Sequence, residues 1–197
     1  MAMFPSSPLL LETIKIENGE VYNLPYHQNR CDKSRKALFG SKTRLDLSSV
    51  ISPPSEGLYR CRILYHEVIE SIEYIPYTPK TINSLKVVPS SINYSYKYAD
   101  RTTFEILLRE QPDVDDVIIE KEGLLTDTTI ANIAFFDGTD WFTPTTPLLE
   151  GTMRAKFIEH GILKKRDIRK EDLDKYTHVA LINAMIGFKI LNHTTIK

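Results

Sequence analysis

Cysteine is scarce in this chain: Cys31 and Cys61 are the only two in 197 residues. Two thiols cannot build a disulfide framework, and neither stands at a metal-ligand spacing. Disulfide-stapled folds and cysteine-held metal centres are excluded, and no metal site is expected. Reduced thiols point to a cytoplasmic protein. Long apolar runs are also missing. None approaches the roughly 20 residues needed to cross a bilayer. The longest near the start, residues 8–11, has neither the length nor the basic flank of a signal peptide. Charge of one sign is not in excess either, with 25 Lys and Arg against 26 Asp and Glu. No nucleic-acid or membrane partner is expected from that balance. An anion would need a local cluster of donors. There is no internal repeat and no low-complexity tract.

What is present is an ordinary globular composition, long enough for one large domain or two small ones. Residues 9–16 read as a strand, followed by the turn Asn18-Gly19 and a second strand at residues 20–24. Asn-Gly between extended runs signals a hairpin. Residues 27–39 read as a helix closed by Gly40. Residues 48–57 are rich in Ser, Pro and Gly and read as a loop. Residues 58–65 and 68–75 read as another hairpin. Pro76-Tyr77-Thr78-Pro79 breaks the pattern and reads as a linker. The expected domains are therefore 1–78, small and α+β, and 83–197, larger and rich in strands. In the second, residues 84–88 and 114–121 read as strands and residues 98–110 as a helix. Residues 132–136 and 141–143 read as a hairpin around Asp137-Gly138, residues 152–160 as a helix, and residues 178–183 as a buried strand.

Four features of the second half carry possible chemistry. Lys97 follows Asn93-Tyr94-Ser95-Tyr96 at the expected start of a helix. Taken alone it reads as a solvated lysine, and its alternative is an amine nucleophile favoured by desolvation. Asp127, in Leu125-Thr126-Asp127, is either a turn or cap residue or a carboxylate facing a protonated ring nitrogen. Gly151-Thr152-Met153-Arg154 opens a helix, where unpaired amides and the helix dipole suit a phosphate. Ile182-Asn183-Ala184-Met185 ends a strand with small residues that let backbone approach a ligand, or simply turns into a loop.

In this order, these segments resemble the class IV aminotransferases, the fold-type IV pyridoxal-phosphate enzymes. The resemblance runs from Glu12-Thr13-Ile14 through nearly the whole chain. His27-Gln28-Asn29-Arg30 is similar to the family's H-x-x-R, which implies that Arg30 binds the cofactor phosphate. Lys97-Tyr98-Ala99-Asp100-Arg101 is similar to the Schiff-base lysine segment, and Arg101 is expected to shape the cofactor's phenolic side. Thr126-Asp127 stands where the family has Thr-Glu, one methylene longer, which implies that Asp127 meets the pyridine nitrogen. Asn132 falls on the family's N-(L/I/V)-F strand. Gly151, Thr152 and Met153 match the phosphate cup, and Asn183-Ala184 a second phosphate contact. Thr13 is expected to assist proton delivery. The family's D-R-G-x-x-(F/Y)-G-D-G segment is not found before the first matched strand, and the glycine- and arginine-containing loop is missing after Tyr65. Arg60 and Arg62 lie on one face of that strand and could replace the loop's arginine, but read as surface residues.

The resemblance implies a two-domain α+β enzyme that uses pyridoxal 5'-phosphate on a small-molecule amino substrate and assembles as a homodimer. Gly-x-Met-Arg, Ala131-Asn132 and the segment ending at Met185 look closest to aminodeoxychorismate lyase. The implied reaction converts 4-amino-4-deoxychorismate to 4-aminobenzoate and pyruvate for folate synthesis. The alternatives are a transaminase of branched-chain or D-amino acids and a non-catalytic cofactor-binding homologue.

Overall fold

The structure, a computed structural model, describes residues 8–192 and 194–197. The chain divides into two units. Among the described residues, one contains those up to Tyr77 together with Tyr96–Asp100, and the other contains Thr78–Ser95 and those from Arg101 onward.

The first unit is built on an antiparallel sheet of β1 (Leu10–Glu17), β2 (Glu20–Val21), β3 (Leu58–Tyr65) and β4 (Ile69–Pro76), in the order β2-β1-β3-β4. Asn18 and Gly19 both take positive φ, at 49° and 82°, the conformation that suits the twist of a two-residue hairpin turn. Alternation then decides the faces. Leu10, Ile14 and Ile16 of β1 and Cys61, Ile63 and Tyr65 of β3 are buried together, each large aliphatic side chain contributing about 1.5–3 kcal/mol. Helix α1 (Leu24–Phe39) belongs to this unit, and its buried face is largely polar: His27, Gln28, Cys31, Ser34 and Arg35. Those groups hold loops. Gln28 donates to the Leu45 carbonyl and accepts from the Leu47 amide, each at 2.8 Å. Arg35 donates to the carbonyls of Thr43 and Glu67.

The helix starts three residues before the expected position, and β2 stops at Val21 rather than residue 24. Asn23 turns the chain in the left-handed region and Pro25 occupies the first turn, where its missing N–H costs nothing and its fixed φ is already helical. At the other end Gly40 is left-handed, as expected.

The second unit is a nine-stranded mixed sheet. Its strands are β5 (Ser84–Pro89), β6 (Asp116–Lys121), β7 (Leu124–Thr128), β8 (Asn132–Phe136), β9 (Trp141–Pro144), β10 (Leu163–Arg166), β11 (His178–Asn183), β12 (Gly187–Leu191) and β13 (Thr195–Ile196). The order runs β10-β9-β8-β7-β6-β5-β13, with β11 pairing β8 and β12. Helices α2 (Thr102–Arg109) and α3 (Thr152–Glu159) complete it. On β8, Ile133 and Phe135 enter one core with Ile118, Leu125 and Leu181. Ala134 faces the other way, with Ile182, Leu163 and the α3 side chains Met153, Phe157 and Ile158. The small Ala134 leaves room for that helix.

The helix expected over residues 98–110 is confined to Thr102–Arg109. Residues 97–99 are instead tied to β1: Tyr98 bridges Leu10, the Leu11 amide donates to the Lys97 carbonyl at 2.9 Å, and the Ala99 amide donates to Leu9. Lys97 thus precedes the helix by several residues. It also clusters with the first unit, whereas the sequence reading placed it in domain 83–197. Strands β7, β10, β12 and β13 are additions, short segments whose periodicity is too brief to read.

Candidate active site

In the first unit, two side chains converge on Glu12. It stands on the core face of β1 and is fully buried. His27 and Arg30 lie three residues apart on α1, so both reach it. The His27 Nδ1 is 2.6 Å from Glu12 Oε2. Arg30 donates from Nε to Oε1 at 2.8 Å and from Nη2 to Oε2 at 2.5 Å. Burial alone would raise the Glu12 carboxyl, but the Arg30 guanidinium and the His27 hydrogen bond hold it down at about 2. His27 is pushed down, by burial first, so it stays neutral near pH 7. Because an ionised carboxylate only accepts, Nδ1 of His27 carries the proton. Lys97 is close enough to add to the depression of His27.

Thr13 points to the opposite face of β1 from Glu12, by alternation, and its cross-strand partner is Arg62. Arg62 pairs with Glu73 at 3.0 Å across β3 and β4.

In the second unit, a hydrogen-bonded cluster centres on Asp127 of β7. It is buried, and its two oxygens are both used: Oδ1 accepts from Asn132 Nδ2 at 2.8 Å, and Oδ2 from the Leu149 amide at 2.9 Å. Burial dominates those bonds and pushes its carboxyl up to about 7. Such a group is poised to ionise beside a cation. Gly151 caps α3 with no side-chain hydrogen bond. The first amides of that helix, at Thr152 and Met153, have no acceptor within it. Arg154, fully buried, anchors the same turn: Nη2 donates to Pro144 O at 2.8 Å and Nη1 to Glu150 at 2.9 Å.

Asn183 and Arg101 have structural partners. The Asn183 Oδ1 accepts from the amides of Met185 and Ile186, at 2.9 and 3.0 Å, and Nδ2 donates to Ile130 O. Its side chain therefore shapes the turn, and an anion contact at Asn183-Ala184 falls to backbone. Arg101 stacks over the Phe104 ring, 4.8 Å from its centre, and donates to the Thr129 carbonyl.

The structure thus groups Arg30 and Lys97 in one unit, and Arg101, Asp127, Gly151, Thr152, Met153, Asn183 and Ala184 in the other. Three partners were given no role by the sequence reading. Glu12 did leave a signal, as the one acid on the apolar face Leu10, Ile14, Ile16. Asn132 and Arg154 appeared only as motif letters, and their bonds are set by tertiary contacts.

Residues 9–190 match the family described as amino-transferase class IV, and the chain belongs to it. The chain is 38% identical to a solved structure from Haemophilus somnus 129pt described as a "putative 4-amino-4-deoxychorismate lyase", covering 93% of this chain and all of that one, with a TM-score of 0.82. An uncharacterized protein of Haemophilus influenzae is 36% identical over 90% of this chain and 98% of its own length. A Mycobacterium tuberculosis aminotransferase described as hypothetical and bound to pyridoxal phosphate shares the fold, with a TM-score of 0.77 at 16% identity over all of this chain and 86% of its own. The protein is therefore a pyridoxal-phosphate-dependent enzyme of the aminotransferase and lyase class, with small-molecule substrates.

The residues fit that cofactor. A buried carboxylate raised to about 7 complements a protonated ring nitrogen, and the first turn of α3, opened by Gly151, complements a phosphate. Both sit in one unit and are joined through Asn132 and Leu149.

Proposed function

We propose that this enzyme is an aminodeoxychorismate lyase, converting 4-amino-4-deoxychorismate to 4-aminobenzoate and pyruvate in the folate route of the cytoplasm. The observation that carries the choice of reaction is the 38% identity, over nearly all of both chains, to a structure described as a "putative 4-amino-4-deoxychorismate lyase". A Schizosaccharomyces pombe relative described in similar words is 28% identical over 89% of this chain and 85% of its own length.

Bound pyridoxal 5'-phosphate supplies the electron sink. In this reading Lys97 is its covalent anchor. With that cofactor bound, the Lys97 amine would take the proton from the carbon bearing the substrate nitrogen. Asp127 holds a proton on the ring nitrogen by remaining ionised beside it. The amides of Thr152 and Met153 and the backbone at Asn183-Ala184 bind phosphate. Arg30 adds a charge-assisted contact. Arg101 borders the phenolic side, and Thr13 assists proton delivery. Loss of pyruvate leaves an aromatic ring, which drives the reaction forward.

The test has two stages. Purified protein given cofactor is expected to absorb in the visible, and borohydride is expected to fix the cofactor to Lys97 and not to a Lys97→Ala variant. A protein that stays colourless and takes up no cofactor would overturn the enzyme reading. Aminodeoxychorismate is then supplied, and 4-aminobenzoate is measured. No product, together with amino transfer from a branched-chain or D-amino acid to 2-oxoglutarate, would replace the lyase with a transaminase.

A further inference from the structure

The glycine that opens α3 has no backbone reason to be glycine. Gly151 has φ −68° and ψ 142°, a conformation open to every residue. The reason is steric. A Cβ at position 151 would overlap Asn132 Oδ1 and lie 3.1 Å from its Cγ. The Asn132 side chain cannot easily turn aside. Its Nδ2 donates to Asp127 Oδ1 at 2.8 Å and to Leu149 O at 2.9 Å, which uses both of its hydrogens. Leu149 closes the circuit, since its own N–H donates to Asp127 Oδ2 at 2.9 Å. The acid on β7, the amide on β8 and the turn at residues 149–151 therefore form one buried hydrogen-bonded brace. Asp127 and Asn132 also face each other as the cross-strand pair joining β7 to β8.

We propose that Asn132 is a positioning residue that fixes the ring-nitrogen acid Asp127 and the phosphate-binding turn at Gly151 in one geometry, and that Gly151 is glycine because Asn132 occupies the place of its Cβ. The inference rests on the cofactor roles proposed above for Asp127 and α3. Its steric half concerns cofactor-free protein alone. Two ends of one rigid cofactor must be met at once, and a shift of about 1 Å in either can cost on the order of a hundred-fold. A brace that ties the two protein groups together removes that freedom before binding.

The experiment is a cycle of Gly151→Ala, Asn132→Ala and the double variant, read as melting temperature without cofactor and as pyridoxal-phosphate affinity by absorbance titration. Gly151→Ala alone is expected to lower the melting temperature and to weaken cofactor binding roughly ten- to a hundred-fold. Shortening Asn132 opens the space, so the double variant is expected to be no worse than Asn132→Ala alone. Losses that simply add would overturn the inference. If Gly151→Ala fails to fold, recovery of a folded double variant is the same result in stronger form. The positioning role has its own readout. A carbon-13 titration of the Asp127 carboxyl in cofactor-free protein should move upward in Asn132→Ala, because a hydrogen bond to the ionised form is lost. An unmoved titration would reduce Asn132 to packing and refute the role. Wild type that takes up no cofactor would overturn the functional reading, whereas additive losses in a protein that does take it up overturn this inference alone.

Discussion

Asp127 couples chemistry to stability through its proton. Its folded-state value of about 7 lies above the unfolded value of about 3.9. A raised carboxyl contributes stability that is complete below the unfolded value and is lost as pH rises through the folded one. In cofactor-free protein, the melting temperature of wild type relative to Asp127→Asn should therefore fall between pH 4 and pH 7 and level off above. Asp116, which burial also raises, is present in both proteins and cancels from the difference. A difference that rises over that interval would contradict the assignment. The same variant should retain cofactor yet lose turnover by about a hundred-fold or more, the scale of a removed charge partner at a reacting group. Turnover equal to wild type would remove Asp127 from the mechanism.

Helix α1 and strand β1 act together through Glu12, and that contact governs what the sequence revealed. The strand was legible because Leu10, Ile14 and Ile16 alternate, and β3 because its apolar period is intact over eight residues. The helix end was legible from Gly40. Its start was not, because Asn23 and Pro25 outweigh the extended look of residues 20–24. Helix α2 was read too long because residues 97–99 satisfy their backbone groups on β1, an interaction no local pattern reports. In the same way the motif residues Lys97, Arg30 and Asp127 could be picked out in order. The groups that hold them, Glu12 and Asn132, depend on contacts distant in the chain. Removing one partner of a buried ion pair costs about 3–5 kcal/mol. Glu12→Gln should accordingly lower the melting temperature by on the order of 10 °C, and an unchanged melting curve would argue that the pair is solvated. Arg154, at 1% exposure, serves α3 as Glu12 serves α1. Arg154→Met leaves the Pro144 carbonyl without its charged donor, which should cost about 1–3 kcal/mol in urea unfolding. A smaller loss would mean that apolar packing alone holds α3.

For the whole protein, the family resemblance implies a homodimer. Sedimentation equilibrium is expected to return twice the 22.6 kDa of one chain, and a monomer mass would set that expectation aside. No helix among the described residues is long and apolar enough to cross a membrane. The path of the chain has a separate consequence. Polypeptide enters the second unit at Thr78, returns to the first for Tyr96–Asp100, and leaves again at Arg101. The segment that returns carries Lys97 and closes against β1. No single cut can therefore yield both units intact. A gene split at the apparent linker near residue 78 would encode one fragment stripped of its lysine and another burdened with a stray piece of its neighbour. Split-protein reporters, domain swaps between relatives and truncation libraries would all fail at that seam, which a sequence reader would choose first.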